Sequence, residues 1–136
     1  CNLLAIPTYF DFNFFKLNAV RIALKDDPRS IISEKYDLIY STGLFDYFSE
    51  KIATLLIGSL KKILKPGGTL IIANVRDKYS NPSVYFMEWV GDWYLVYRSD
   101  DAFREIFINS GFKEKELDIR YEQQGVLQYI IAHNKY

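Results

Sequence analysis

Residues 64–75 read LKPGGTLIIANV, and this run limits the choice of fold more than any other part of the chain. It follows a stretch in which Ile52, Leu55, Leu56, Leu60, Ile63 and Leu64 recur at helical spacing, with Ser49 placed as the N-cap. Lys61, Lys62 and Lys65 gather where a helix end is negative. Pro66 cannot continue the helix, and Gly67-Gly68 supply the permissive backbone that a sharp reversal needs. TLIIANV (69–75) is apolar on both faces, which predicts a central strand covered on both sides. A helix, a sharp reversal and a buried strand make the repeating unit of a layered α/β fold.

The rest of the chain extends that unit. FDFNFFKL (10–17) alternates loosely and predicts a strand at about 12–18, followed by a short helix in NAVRIALKDD (18–27) that Pro28 ends. YDLIYST (36–42), closed by Gly43, has the pattern of a buried parallel strand. A polar break at 76–83 leads into the aromatic run VYFMEWVGDWYLVY (84–97), with a short helix before Gly91. Ser99 caps a further helix with Asp100, Asp101 and Glu105 in its first turns, a buried stripe of Ala102, Phe103, Ile106 and Phe107, and Gly111 at its end. KELDIRYE (115–122) and VLQYIIAHN (126–134), joined by Gln123-Gln124-Gly125, form an antiparallel hairpin. The predicted order is β-α-β-α-β-insert-α-β-β, a mostly parallel sheet with a terminal hairpin.

A chain of 136 residues is about one domain. Seventeen basic residues balance seventeen acidic ones, which leaves no electrostatic footprint for nucleic acid or an anionic membrane and argues for a small or neutral partner. The single cysteine, Cys1, allows neither a disulfide framework nor a cysteine zinc site, so a reducing, cytoplasmic setting is the default. The only histidine, His133, falls near the end of a predicted strand and reads as structural, and no metal site is expected. No apolar run reaches the roughly 18 residues a membrane span needs.

This pattern resembles the class I S-adenosylmethionine-dependent methyltransferases. The likeness rests on YDLIYSTGLFDYF (36–48), LKKILKPGGTLIIANV (60–75), the helix ending in NSGF (109–112) and the final hairpin. A narrower likeness, on G-L-F-D-Y (43–47) and W-x-L-x-Y-R (93–98), is to a bacterial subgroup of which some members are associated with fatty-acid methyl ester signals. The resemblance implies a partial Rossmann-like α/β sheet, with the family's first two strands and its glycine-rich G-x-G-x-G loop missing. It also implies that 1–136 is one incomplete domain: third strand and linker at 1–35, central strands at 36–75, aromatic insert at 76–98, last helix and hairpin at 99–136. The third strand, 12–18, would then lack its native neighbours. The edge of strand 36–42 would be open and apolar, inviting a second polypeptide, a homodimer, or further residues of the same polypeptide.

The same resemblance implies where chemistry would sit. Asn18 and Ala19 would meet the adenine of S-adenosylmethionine, although Asn18 also reads as a plain N-cap. Ser41, Thr42 and Gly43 end the fourth family strand and would face the cofactor's methionine part and the methyl acceptor, or would simply be a strand exit. Asp46 is a candidate general base and Tyr47 a candidate positioning group, while Asp46 equally reads as a helix-start residue. Phe86, Trp89, Trp93, Tyr94 and Tyr97 would wall an apolar, small or lipid-like acceptor, or else pack in a core or interface. Arg98 would bind an acceptor carboxylate or pair with Asp100 or Asp101. Two readings follow: the C-terminal portion of a methyltransferase catalytic domain, inactive alone, or a non-catalytic remnant serving assembly through its strand edge.

Overall fold

The computed structural model describes residues 12–135. In chain order these form α1 (Ala19–Ala23), β1 (Tyr36–Ser41), α2 (Glu50–Lys62), β2 (Leu64–Val75), α3 (Val84–Trp89), α4 (Asp100–Asn109), β3 (Leu117–Tyr121) and β4 (Leu127–His133). The four strands make one sheet in the order β1-β2-β4-β3. β1 and β2 run parallel, and β4 inserts antiparallel between β2 and β3. The α/β class, the central place of 69–75 and the terminal hairpin are as the sequence predicts.

The helices form where local chemistry asks for them. The Ser49 hydroxyl accepts from Ile52 N–H at 3.4 Å, and the Ser99 hydroxyl from Ala102 N–H at 3.2 Å. α4 ends in a Schellman arrangement: Phe112 N–H donates to Phe107 C=O and Gly111 N–H to Ile108 C=O, with Gly111 at φ +97. The hydrophobic contact that accompanies this motif is present, since the Phe112 and Phe107 rings lie 6.0 Å apart. The Lys61 ammonium donates to Gly111 C=O and sits over the Phe112 ring, tying α2 to the end of α4.

Register partners share a sheet face. Leu70 with Ala132, and Ile72 with Ile130, point to the side covered by α1, α2 and α4. There they meet Ile22, Ala53, Leu56, Ile57, Phe103, Ile106 and Phe107 in a sealed core. The opposite face is less covered than the apolar run predicts: Ala73 and Val75 are buried, Ile71, Tyr129 and Ile131 are half-buried, and Leu38 and Tyr40 of β1 are exposed. β2 is therefore central but sealed on one side only, among the described residues.

Other expectations need correction. Residues 12–18 form no strand. No strand lies beside them among the described residues, Phe14 and Phe15 are exposed, and strand propensity without a partner cannot make a ladder. The helix that follows ends at Ala23, and Pro28 opens a separate 3-10 turn instead of stopping it. Leu55 and Ala102 fall outside the buried stripes, because the faces of α2 and α4 centre on Leu56–Ile57 and on Ile106–Phe107.

Pro66, Gly67 and Gly68 do not stop the helix as the sequence predicts: α2 ends at Lys62, and the three residues form an irregularity inside β2. Tyr36 pairs with Leu64 and Leu38 with Thr69, so residues 65–68 loop out opposite one β1 step. Gly67 N–H donates to Asn134 C=O and Asn134 N–H to Gly68 C=O, both at 2.9 Å. A Cβ on Gly68 would meet the carbonyl oxygens of Lys65 and Tyr36 at 3.0 Å and of Asp37 at 3.2 Å, whereas Gly67 has open space but φ +80. Gly68→Ala is therefore expected to cost about 1–3 kcal/mol by crowding, and Gly67→Ala roughly 1 kcal/mol by backbone strain. Urea unfolding checks the order. A costlier Gly67→Ala would show that the 65–68 loop yields around the added methyl.

Candidate functional site

The carboxyl ends of the parallel strands β1 and β2 lie side by side, where open α/β sheets place their ligands. Two loops leave there: 42–49 after β1, and 76–99 after β2. The first is anchored by Phe45, which is fully buried and meets Phe48 edge-to-face at 5.8 Å. A 3-10 turn over Phe45–Tyr47 then sends neighbouring side chains opposite ways. Asp46 turns inward and is 5% exposed, while Tyr47 turns outward and is 53% exposed.

Asp46 Oδ1 accepts the Val75 N–H at 2.7 Å, the last donor of β2, and its own carbonyl accepts Val96 N–H at 2.7 Å. Burial pushes the Asp46 carboxyl above its ordinary range, opposed by the Val75 hydrogen bond and by the Arg98 charge. The Tyr47 hydroxyl accepts from the Trp93 indole N–H at 2.9 Å, joining the first loop to the second.

The second loop is folded back by local turns. The Asp77 carboxylate accepts from Tyr79 and Ser80 N–H groups, and the Lys78 ammonium pairs with the nearly buried Glu88 at 2.6 Å, holding α3. After α3, Asp92 takes φ +47 and Trp93 N–H returns to Met87 C=O at 2.9 Å. Residues 93–98 thereby run back to β2, where Arg98 N–H donates to Val75 and Arg76 carbonyls.

Arg98 is 5% exposed, and its guanidinium is directed inward. Its Nη1 donates to Phe45 C=O at 2.9 Å and to Asn74 Oδ1, and its Nη2 to Phe48 C=O. Burial lowers its pKa, with the Asp46 and Glu50 charges acting the other way, and a guanidinium stays protonated through such shifts. The predicted pairing with Asp100 or Asp101 is not formed. Asp100 instead takes a two-pronged bond from Arg76, at 3.0 and 3.2 Å, and one from the Tyr121 hydroxyl, while Asp101 pairs with Arg104. Arg98 as a receiver for an acceptor carboxylate also fits poorly, because both terminal nitrogens already face internal oxygens.

Asn74 and Gln128 are missed by sequence reasoning. Both are fully buried and are register partners across β2 and β4. Asn74 donates to Val75 and Val96 carbonyls at 2.8 and 3.0 Å, and Gln128 to Arg98 C=O at 2.7 Å. The available signal was a polar amide inside each of two otherwise apolar strand runs.

The structure thus brings Asp46, Tyr47, Trp93 and Arg98 together at the ends of β1 and β2. Ser41 is half-buried there, Thr42 and Gly43 are exposed, and Gly43, at φ +68, has nothing within 4 Å of where a Cβ would stand. Tyr97 is half-buried, with its hydroxyl shut away from solvent and unbonded. Phe86, Trp89 and Tyr94 are exposed and do not form core. Asn18 and Ala19 are not gathered with this group. Asn18 caps α1 through Arg21 N–H at 3.1 Å and lines an opening of about 540 Å³ with Leu17, Arg21 and Ile31, while Ala19 packs on the core. His133 lies at the other end of β2, bonded to the Thr69 hydroxyl at 3.2 Å across the ladder.

No protein-family model matches the sequence, and no curated protein matches it either. Solved structures do share the fold. An O-methyltransferase family protein from Burkholderia thailandensis aligns over 90% of this chain and 36% of its own, at 17% identity and a TM-score of 0.65. Human N-acetylserotonin methyltransferase in complex with SAM aligns over 96% and 37%, at 13% identity and a TM-score of 0.60. A possible exported protein from Bordetella parapertussis aligns over 76% and 40%, at 21% identity and a TM-score of 0.63. The chain spans less than half the length of each of these proteins. Among the described residues, no helix is long and apolar enough to cross a membrane.

The inward carboxyl of Asp46 has a testable pH signature. Because its pKa is raised on folding, the stability it contributes is fully present below the ordinary aspartate value and lost as pH rises through the raised one. Asp46→Asn keeps an oxygen for Val75 N–H and cannot ionise. Wild-type stability relative to this variant, from urea unfolding at a series of pH values, is expected to fall as pH rises through that window. A difference that grows with pH would mean that Arg98 and the Val75 bond outweigh burial.

Proposed function

We propose that this chain is the acceptor-side portion of an S-adenosylmethionine-dependent methyltransferase domain, acting on a small or lipid-like acceptor. The observation that carries the reading is the sheet itself. A parallel pair β1–β2, followed by a strand inserted antiparallel between β2 and β3, aligns with solved O-methyltransferases over as much as 90% of this chain. The cofactor would supply a methyl group on a positively charged sulfur, a good leaving group. The residues present fit such a ligand at one point: the open main chain at Thr42 and Gly43 lets a bulky group approach β1's end. Asn18 and Ala19 would serve the adenine only if the ligand reached the separate opening that Asn18 lines.

In-line methyl transfer asks the protein for alignment and exclusion of water more than for a strong nucleophile. Tyr47 is the better placed of the two catalytic candidates, because it is exposed and its hydroxyl is oriented by Trp93. Asp46, turned inward on Val75 N–H, holds the loop that carries Tyr47. Trp93 and Tyr97 would wall the acceptor. The G-L-F-D-Y and W-x-L-x-Y-R runs favour an acyl acceptor of the fatty-acid type, and the lone cysteine suits cytoplasmic work.

The test is a two-dimensional NMR titration of the 136-residue chain with S-adenosylhomocysteine, the demethylated cofactor. Shifts are expected first at the amides of Ser41, Thr42, Gly43 and Tyr47. Ligand that binds and shifts other amides but none of these would sink the assignment of this sheet end to the cofactor.

A second reading, an assembly module, is favoured by one observation. Among the described residues β1 pairs with β2 alone, and its Leu38 and Tyr40 are exposed. Open apolar strand edges recruit other strands. Light scattering is expected to show a homodimer that Tyr40→Lys weakens. A monomer at all concentrations would leave the edge without this role.

A further inference from the structure

Three segments that are far apart in sequence converge on the guanidinium of Arg98. The first is the loop after β1, through the carbonyls of Phe45 and Phe48. The second is the end of β2, through the Asn74 side chain, while the Val75 carbonyl takes the main-chain N–H of Arg98. The third is the returning insert, through Arg98 itself and through Val96, whose C=O takes the Asn74 amide and whose N–H reaches Asp46 C=O. Gln128 of β4 closes the group from behind on Arg98 C=O. Every acceptor offered to the guanidinium is an uncharged oxygen.

We infer that Arg98 and Asn74 are positioning residues that couple the two site loops, so that Tyr47 and Trp93 are presented to an acceptor as one unit. The geometry is specific to their chemistry. A guanidinium is a planar fork with donors in fixed directions, and from the second loop it can serve two oxygens of the first loop and one at the end of β2 at once. An ammonium in its place keeps the charge but is a point donor on a flexible stem. The Asn74 amide uses both ends: its oxygen receives Arg98 and its nitrogen grips Val75 and Val96 carbonyls. A simple packing role would require neither the fork nor both amide ends.

The coupling also explains why the Tyr47–Trp93 bond can persist at the surface. Two exposed side chains held only by each other would gain little against their own entropy. Here the main chain beneath each is already fixed, Tyr47 between two carbonyls bound to Arg98 and Trp93 by its turn onto Met87. This inference rests on the acceptor-side reading above for its purpose, but its test needs neither cofactor nor acceptor.

The test is amide exchange and indole N–H chemical shift by NMR on the 136-residue chain, comparing wild type with Arg98→Lys, Asn74→Asp and Tyr47→Phe. In Arg98→Lys, exchange at the Val75 and Val96 amides is expected to accelerate by roughly tenfold, while Ile71 and Ile131 stay protected. The Trp93 indole resonance is expected to move to the position seen in Tyr47→Phe. Asn74→Asp keeps an oxygen for Arg98 but loses the donor to Val96, so it should loosen the Val96 amide and leave the Tyr47 amide unchanged. Should Arg98→Lys fail to fold, Asn74→Asp carries the test alone. Uniform acceleration across the sheet, or an unmoved Trp93 resonance and unchanged exchange at Val96, overturns the coupling. Either failure leaves the cofactor titration, and the methyltransferase reading, to stand or fall separately.

Discussion

A guanidinium and a carboxylate have been taken out of water at the end of a parallel strand pair, and much of the neighbouring structure is arranged around that fact. Burial disfavours the charged form of each, raising Asp46 and lowering Arg98. The pair is not a direct salt bridge among those formed by the described residues. Compensation comes instead from hydrogen bonds: Val75 N–H to Asp46, and Phe45, Phe48 and Asn74 oxygens to Arg98. Removing one member would strand the others as buried, unsatisfied groups, which is costlier than never having placed them there. The loops after β1 and β2 are thus held at the sheet end by the needs of two charges.

What could be read from sequence follows the range of the interactions. Ser49, Ser99 and Gly111 act within a few residues of themselves, and each does in the structure what its position announces. The need for glycine at 67 and 68 is equally legible, but the place of the reversal is not: α2 ends at Lys62, and Pro66-Gly67-Gly68 loop out within β2. At 12–18 the sequence misleads for the opposite reason. Its aromatic alternation is a local property, whereas a strand exists only with a neighbour, and none is supplied among the described residues.

The site was legible in part and misassigned in part. Position after a strand pointed correctly to Asp46 and Tyr47 as neighbours of the sheet end, but adjacency in sequence hid that they face opposite ways. In sequence Arg98 is a cation beside a helix start, and charge alone offers Asp100 or Asp101 as partners. The return of residues 93–98 to β2 puts Arg98 beneath the loops and leaves Asp100 to Arg76 and Tyr121. Asn74 and Gln128 escaped because they sit in apolar runs whose mean character conceals single polar positions. Their pairing across strands more than fifty residues apart has no local signature.

The way Arg98 holds the loops has a consequence for what the site can vary. Two of the three oxygens it binds are main-chain carbonyls, and Asn74 likewise grips the carbonyls of Val75 and Val96. A carbonyl is present whatever the side chain. The shape of the two loops is therefore set without reference to the side chains at Tyr47, Trp93 and Tyr94, which point outward from it. Those positions are free to change while the frame beneath them stays the same. The exposed aromatics of the insert, which contribute nothing to the sealed core, are then best understood as surface presented by a rigid frame, its rigidity supplied by one buried fork and one buried amide.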